Sequence, residues 1–195
     1  MAKQSKCKLL SRGVNTMNHV KNTKLRNTIL AVAAIIVIAT TGANAQQKLG
    51  DLVTEGGFDW LIGSWEATSD EGDKIELVYK WELDKHLLTM LLKFTDNEYR
   101  SMIFYKPAED QIVQITVDNK GGTGKGIWEA DGNKAVLKHE HTGTDWQTNK
   151  MGFAHSKVDA NTMKWDIHEM YSSGELSDYP NFTVEFKRQK QPAKK

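Results

Sequence analysis

Lys74-Ile75-Glu76-Leu77-Val78-Tyr79-Lys80-Trp81-Glu82-Leu83 alternates without a break. Ile75, Leu77, Tyr79, Trp81 and Leu83 fall on one face, and Lys74, Glu76, Val78, Lys80 and Glu82 on the other. Successive side chains leave a strand on opposite sides, so period two with one apolar face predicts a half-buried β-strand. The same pattern recurs near the C-terminus, where Phe182, Val184 and Phe186 alternate with Thr183, Glu185 and Lys187.

Between these two segments lie further strand candidates at 86–95, 98–106, 111–118, 124–130, 134–142, 146–156 and 162–172. Gly, Asp and Asn cluster at the joints, as in Asp70-Glu71-Gly72-Asp73, Asp96-Asn97, Asn119 to Gly122 and Asp131-Gly132-Asn133. Such residues adopt positive φ or bond their own backbone, and so make turns. Sequential hairpins with no helical pattern between them predict an all-β fold, a sandwich or an up-and-down antiparallel barrel of about 8–10 strands, the barrel being favoured because the short, regular joints leave little chain for Greek-key crossovers. Closure also removes exposed sheet edges. The one helical candidate is a short N-terminal run from Gly57 to Ile62. The stretch Gly121-Gly122-Thr123-Gly124-Lys125-Gly126 has the look of a phosphate loop, but Ile127-Trp128 continues as strand where such a loop must open a helix, so it reads as a hairpin.

Residues 1–45 differ in kind from the rest. They hold seven of the chain's 26 Lys and Arg residues and no acidic residue, which leaves 19 basic against 25 acidic residues in the body, a net −6. Ile29 to Ala39 is an apolar run of eleven, followed by Ala43-Asn44-Ala45. Basic segment, apolar segment and A-x-A site form a signal-peptide pattern, with cleavage expected near Ala45 and a periplasmic or secreted destination. A start at Met17 would give a leader of more ordinary length. The apolar run is short of the roughly 20 residues of a membrane span, so no stable membrane anchor is expected after cleavage. The expected organisation is therefore a signal peptide at 1–45, a linker at 46–56, the barrel at 57–188 and a disordered basic tail at 189–195.

The only cysteine, Cys7, lies in the leader. A body without cysteine is neither a disulfide scaffold nor a zinc ribbon, and it has no thiol nucleophile. Its acidic balance argues against a nucleic-acid partner.

Phe58-Asp59-Trp60-Leu61-Ile62-Gly63-Ser64-Trp65-Glu66 resembles the opening of lipocalin-like (calycin) barrels. In these a short helix leads through Gly-x-Trp into the first strand. The order of Trp81-Glu82-Leu83-Asp84-Lys85-His86-Leu87-Leu88, Phe104-Tyr105-Lys106-Pro107 and Gly126-Ile127-Trp128-Glu129-Ala130-Asp131-Gly132 resembles a family of bacterial secreted, lipocalin-like domains of unknown function. The resemblance covers most of residues 56–188. It implies the barrel, with Trp65 plugging its closed end, and brings no catalytic residues.

Alternation assigns an inward face to Ile75, Leu77, Tyr79 and Trp81, to Leu88, Met90, Leu92 and Phe94, to Val113, Ile115 and Val117, and to Met163, Trp165 and Ile167. A barrel of this size either packs shut or keeps one ligand-sized space, and these residue types suit both. Leu137, His139 and His141 share a face, as do Met151, Phe153 and His155. Glu169 and Tyr171 continue the face of Trp165 and Ile167. His139, His141, His155, Glu169 and Tyr171 are therefore expected to converge near one mouth, while His86 and His168 face outward.

Three readings of that cluster are open: a solvated rim, a polar anchor for the head group of an apolar ligand, and an acid–base or metal site. Two histidines at i and i+2 on a strand can share a metal, with Glu169 completing the set. The leading expectation is an exported barrel that binds a small hydrophobic molecule through Tyr79, Trp81, Met90, Trp165, His139, His141, His155, Glu169 and Tyr171. One alternative is a cavity enzyme or a metal- or haem-binding protein using His139, His141, His155 and Glu169, although no cofactor is required by any motif. The other is an envelope interaction module with a packed core and an outer contact face including Leu87, Thr89 and Leu91.

Overall fold

In a computed structural model the structure describes residues 47–190. The expected leader, its cleavage site and residues 191–195 of the expected tail lie outside them. Ten antiparallel strands form a closed barrel: β1 (Gly63–Thr68), β2 (Lys74–Glu82), β3 (Leu87–Phe94), β4 (Asn97–Lys106), β5 (Gln111–Asp118), β6 (Thr123–Asp131), β7 (Lys134–Thr142), β8 (Thr148–Lys157), β9 (Thr162–Glu169) and β10 (Phe182–Arg188). Each strand pairs with its neighbour in sequence, and β10 closes on β1 through Trp65 opposite Arg188. This is the up-and-down architecture expected from the alternation.

The helix lies earlier than expected. α1 spans Leu49–Glu55, inside the segment read as a linker, and Asp59–Leu61 forms only a single 3₁₀ turn. Leu49 is fully buried and Val53 packs against the core, so two apolar positions four apart anchor this short helix. Gly57, at φ +74, separates the two turns. Tertiary burial outweighs the weak local helix signal here.

The closed end is built around Trp65, which is 2% exposed. Its Nε1–H donates to Leu61 O at 2.9 Å. Arg188 stacks on its ring, 4.0 Å from the centroid, while Nη1 and Nη2 donate to Ile62 O and Trp60 O at 2.8 and 2.6 Å. One guanidinium thus satisfies two carbonyls of the opening turn and covers the indole. Gln189, read as the start of a disordered tail, still donates its backbone N–H to Ser64 O at 2.8 Å.

Two readings of the alternation are corrected: that β2 runs on to Leu83, and which face of β5 turns inward. Leu83 is 71% exposed because β2 stops at Glu82 and Leu83, at φ +48, begins a left-handed turn. On β5 the whole face is reversed: Ile115 and Val117 are 46% and 51% exposed, while Gln114 and Thr116 are each 2% exposed. The register sets Ser101 opposite Thr116, and Met102 opposite Ile115. The polar face turns inward because it is saturated there. Gln114 Nε2 donates to Ser101 Oγ and Thr116 Oγ1 at 3.1 and 3.2 Å, and Trp128 Nε1 donates to Gln114 Oε1 at 3.0 Å. Buried polar groups that are fully paired carry little penalty.

Candidate functional site

The barrel is hollow. A cavity of about 500 Å³ runs inside it, within the size range of small-molecule sites. Apolar side chains from β2, β3, β9 and β10, including Ile75, Leu92, Ile167 and Val184, make one wall. The other wall, from β5, β7 and β8, sets Gln114, Thr116, His139, His141, Asn149 and His155 among the apolar Leu137, Met151 and Phe153.

Of the residues expected to line it, Tyr79, Met90, Trp165, His139, His141 and His155 do so. Trp81 does not: it is half-buried and packs against the core beside Leu88, its cross-strand partner. Glu169 keeps the phase of Trp165 and Ile167 but reaches the exposed rim, opposite Met151. Tyr171 lies beyond the end of β9 and is 49% exposed. There the chain leaves the barrel wall, Met170 N–H bonding Lys150 O and Leu176 packing over Gly152. Tyr171 therefore borders an outer groove with Lys138, Glu140 and Lys150. His168 faces outward as expected, with Nδ1 2.8 Å from Ser177 O.

The three cavity histidines do not converge. His155 is fully buried in the deeper half, among Tyr79, Trp128 and Trp165. Its Nδ1 lies 3.0 and 3.1 Å from Ala135 O and Phe153 O, which fixes the proton on Nδ1. Nε2 then accepts the Tyr79 hydroxyl at 3.1 Å. Both nitrogens are committed, and burial lowers the pKa to about 4, so the ring is a neutral strut. Burial likewise raises the Tyr79 phenol.

His139 and His141 form a pair nearer the open end, their rings 6.3 Å apart and within 26° of parallel. The glycines of the β6 hairpin make room for them. A Cβ on Gly124 would lie 2.6 Å from His139 Nε2, and one on Gly122 2.8 Å from His141 Cε1. That is the role of the glycine-rich stretch: the imidazoles lie flat where side chains would otherwise stand. His139 Nε2 is 3.2 Å from Thr116 Oγ1, and burial, followed by the neighbouring His141, lowers its pKa to about 4.

His141 Nε2 lies 3.0 Å from Asp118 Oδ2, in a bent contact with no other partner. Asp118, unremarked in the sequence, accepts the backbone N–H groups of Lys120 and Gly122 at Oδ1, both at 2.8 Å. Burial works to raise its pKa, but those two N–H groups and His141 prevail and hold it below the usual carboxylate value. Tyr99 packs edge-on against His141 and stacked on Phe94. A signal for Asp118 was present in retrospect: an Asp at the start of a turn accepts the backbone N–H two residues on, here that of Lys120.

The carboxylate expected to complete a metal set is thus replaced at the histidines by Asp118. Among the described residues no group of three His, Cys, Asp or Glu side chains is placed to hold one ion.

No protein-family model matches this chain, and no curated protein does. The closed ten-stranded antiparallel barrel is compatible with the calycin architecture.

Proposed function

We propose that this protein is an exported member of the lipocalin-like barrels and binds a small, largely apolar molecule inside the barrel. The observation that carries the reading is the cavity of about 500 Å³, largely apolar, with a few polar side chains contributed by β5, β7 and β8. A largely apolar cavity of that size offers a small molecule extensive contact. The leader pattern of residues 1–45 and the calycin-like opening around Gly63-Ser64-Trp65 support the compartment and the family.

Tyr79, Met90, Trp165, His139, His141 and His155 are the residues of this site, with His155 and Tyr79 shaping its deep end. Native mass spectrometry of the protein purified from its own host, with a screen of lipids and hydrophobic dyes, tests the proposal. A co-purifying small molecule, or saturable dye binding displaced by Met90→Trp, is the expected result. Unaltered mass and no saturable binding across the screen would overturn it.

A further inference from the structure

Resting on the reading of the barrel as a ligand site, we infer that its guest is an uncharged aromatic compound, held along a track of rings that descends the cavity from Tyr99 to Phe186.

The track is continuous. Tyr99, on β4 just past the Asp96-Asn97 turn, meets His141 with ring centroids 5.6 Å apart. His141 to His139 is 6.3 Å, His139 to Phe153 6.4 Å, Phe153 to Trp165 5.6 Å and Trp165 to Phe186 5.0 Å. Phe186 is fully buried, next to the point where β10 closes on β1. The rings come from β4, β7, β8, β9 and β10, and every one of them lines the cavity. Rings in mutual contact hold one another in place, so this lining is stiff. A guest whose own rings extend the series gains aromatic contacts on top of the area it buries. A flexible chain gains none of these and gives up rotamer freedom to lie against the wall.

The charge follows from the lining. Among the described residues around the cavity there is no Lys, Arg, Asp or Glu. Burial keeps His139 and His155 neutral. Asp118 stands 3.0 Å from His141, and the pair carries zero or −1 wherever its proton sits, so the wall never presents net positive charge. A carboxylate guest would therefore be buried without a counter-ion. A cation fares no better, because Asp118 is already engaged by the backbone N–H groups of Lys120 and Gly122 and by His141. Gln114 and Thr116 spend their hydrogen bonds on Ser101, Trp128 and His139, and ask nothing of a guest.

Isothermal titration calorimetry of the purified protein at neutral pH compares four probes: 9-phenanthrenemethanol, phenanthrene-9-carboxylate, the cation 5-methylphenanthridinium and decan-1-ol. The aromatic alcohol should bind about tenfold more tightly than each of the others. Phe153→Leu and Tyr99→Leu interrupt the track in its middle and at the rim. Each should cut the aromatic alcohol's advantage over decan-1-ol by about threefold, while decan-1-ol affinity stays within about twofold. Tyr99 is only half-buried, so its variant reads the track even if the Phe153 variant fails to fold. Decan-1-ol binding as tightly as the aromatic alcohol, or a preference unchanged in the folded variants, overturns the aromatic assignment. Carboxylate or cation binding as tightly as the aromatic alcohol overturns the uncharged one. Either result leaves the ligand-binding barrel intact. Binding of none of the four would bring down both.

Discussion

The Tyr79 hydroxyl on β2 donates to Nε2 of His155 on β8, a 3.1 Å bond across the deep part of the barrel between residues 76 apart in sequence. Among the described residues it is the one side-chain hydrogen bond between these two strands, and it ends on a ring whose other nitrogen already serves two carbonyls. Tyr79→Phe would leave Nε2 buried without a donor, at a cost of about 1–3 kcal/mol. Urea unfolding should show the midpoint falling with the slope unchanged. A variant as stable as wild type would mean that water or another group replaces the hydroxyl.

The two histidines with lowered pKa values make stability depend on acidity. His139 and His155 titrate near 4 when folded, against 6.5 for the exposed side chain. Between those values the unfolded chain binds more protons than the folded one. Stability is therefore full above about pH 6.5 and drains away as the pH falls toward 4, by a few kcal/mol for the pair. Denaturant midpoints measured across that interval should decline steadily, and His139→Gln should flatten part of the decline. Midpoints independent of pH would contradict the buried, neutral state of both rings.

Strand positions and turns were legible because period-two alternation is local: β5 and β7 begin and end where the pattern does. Which face of β5 turns inward was not. Val113, Ile115 and Val117 look like a lining, and only the partners Ser101, Trp128 and His139 reveal that Gln114 and Thr116 are better satisfied inside. Those partners come from three other strands, so no window along the chain contains the information. The histidine pair was visible as spacing on β7, whereas its seat on Gly122 and Gly124 and its tether to Asp118 depend on register with β6 and β5. Glu169 and Tyr171 were misplaced because alternation does not announce where a strand leaves the wall.

Gly124 should tolerate no side chain. A Cβ there would stand 2.6 Å from Cε1 and Nε2 of His139 and 2.9 Å from the Glu140 carbonyl oxygen. The ring could swing away, but the backbone oxygen could not without disturbing the β6–β7 pairing. Gly124→Ala is expected to cost about 1–3 kcal/mol and to change the His139 ring resonances in NMR spectra. Gly72, at a turn with nothing within 4 Å, makes the control: its alanine variant meets backbone strain alone and leaves His139 unmoved.

At the closed end, Arg188 should not be replaceable by Lys. An ammonium can reach one of the Trp60 and Ile62 carbonyls but cannot bridge both while covering the Trp65 ring. Arg188→Lys should lose about 2 kcal/mol or more, close to the loss in Arg188→Ala. Thermal unfolding of both variants separates shape from charge: rescue by Lys would show that the positive charge alone matters.

The reversed face of β5 gives two substitutions with opposite expectations from adjacent residues. Ile115 is half-exposed on the outer wall, so Ile115→Thr should change stability by no more than about 0.5 kcal/mol. Thr116→Val keeps the volume of its neighbour's replacement but removes the hydroxyl on which Ser101, Gln114 and His139 converge. Three buried groups then lose a partner at once, and a loss of about 2 kcal/mol or more is expected. If the apolar residues of this strand faced the cavity instead, the order would invert, with Ile115→Thr the damaging change. Equilibrium unfolding of the two variants therefore reads the orientation of the strand directly, because chain length, neighbours and β-propensity are shared and only the side of the wall differs.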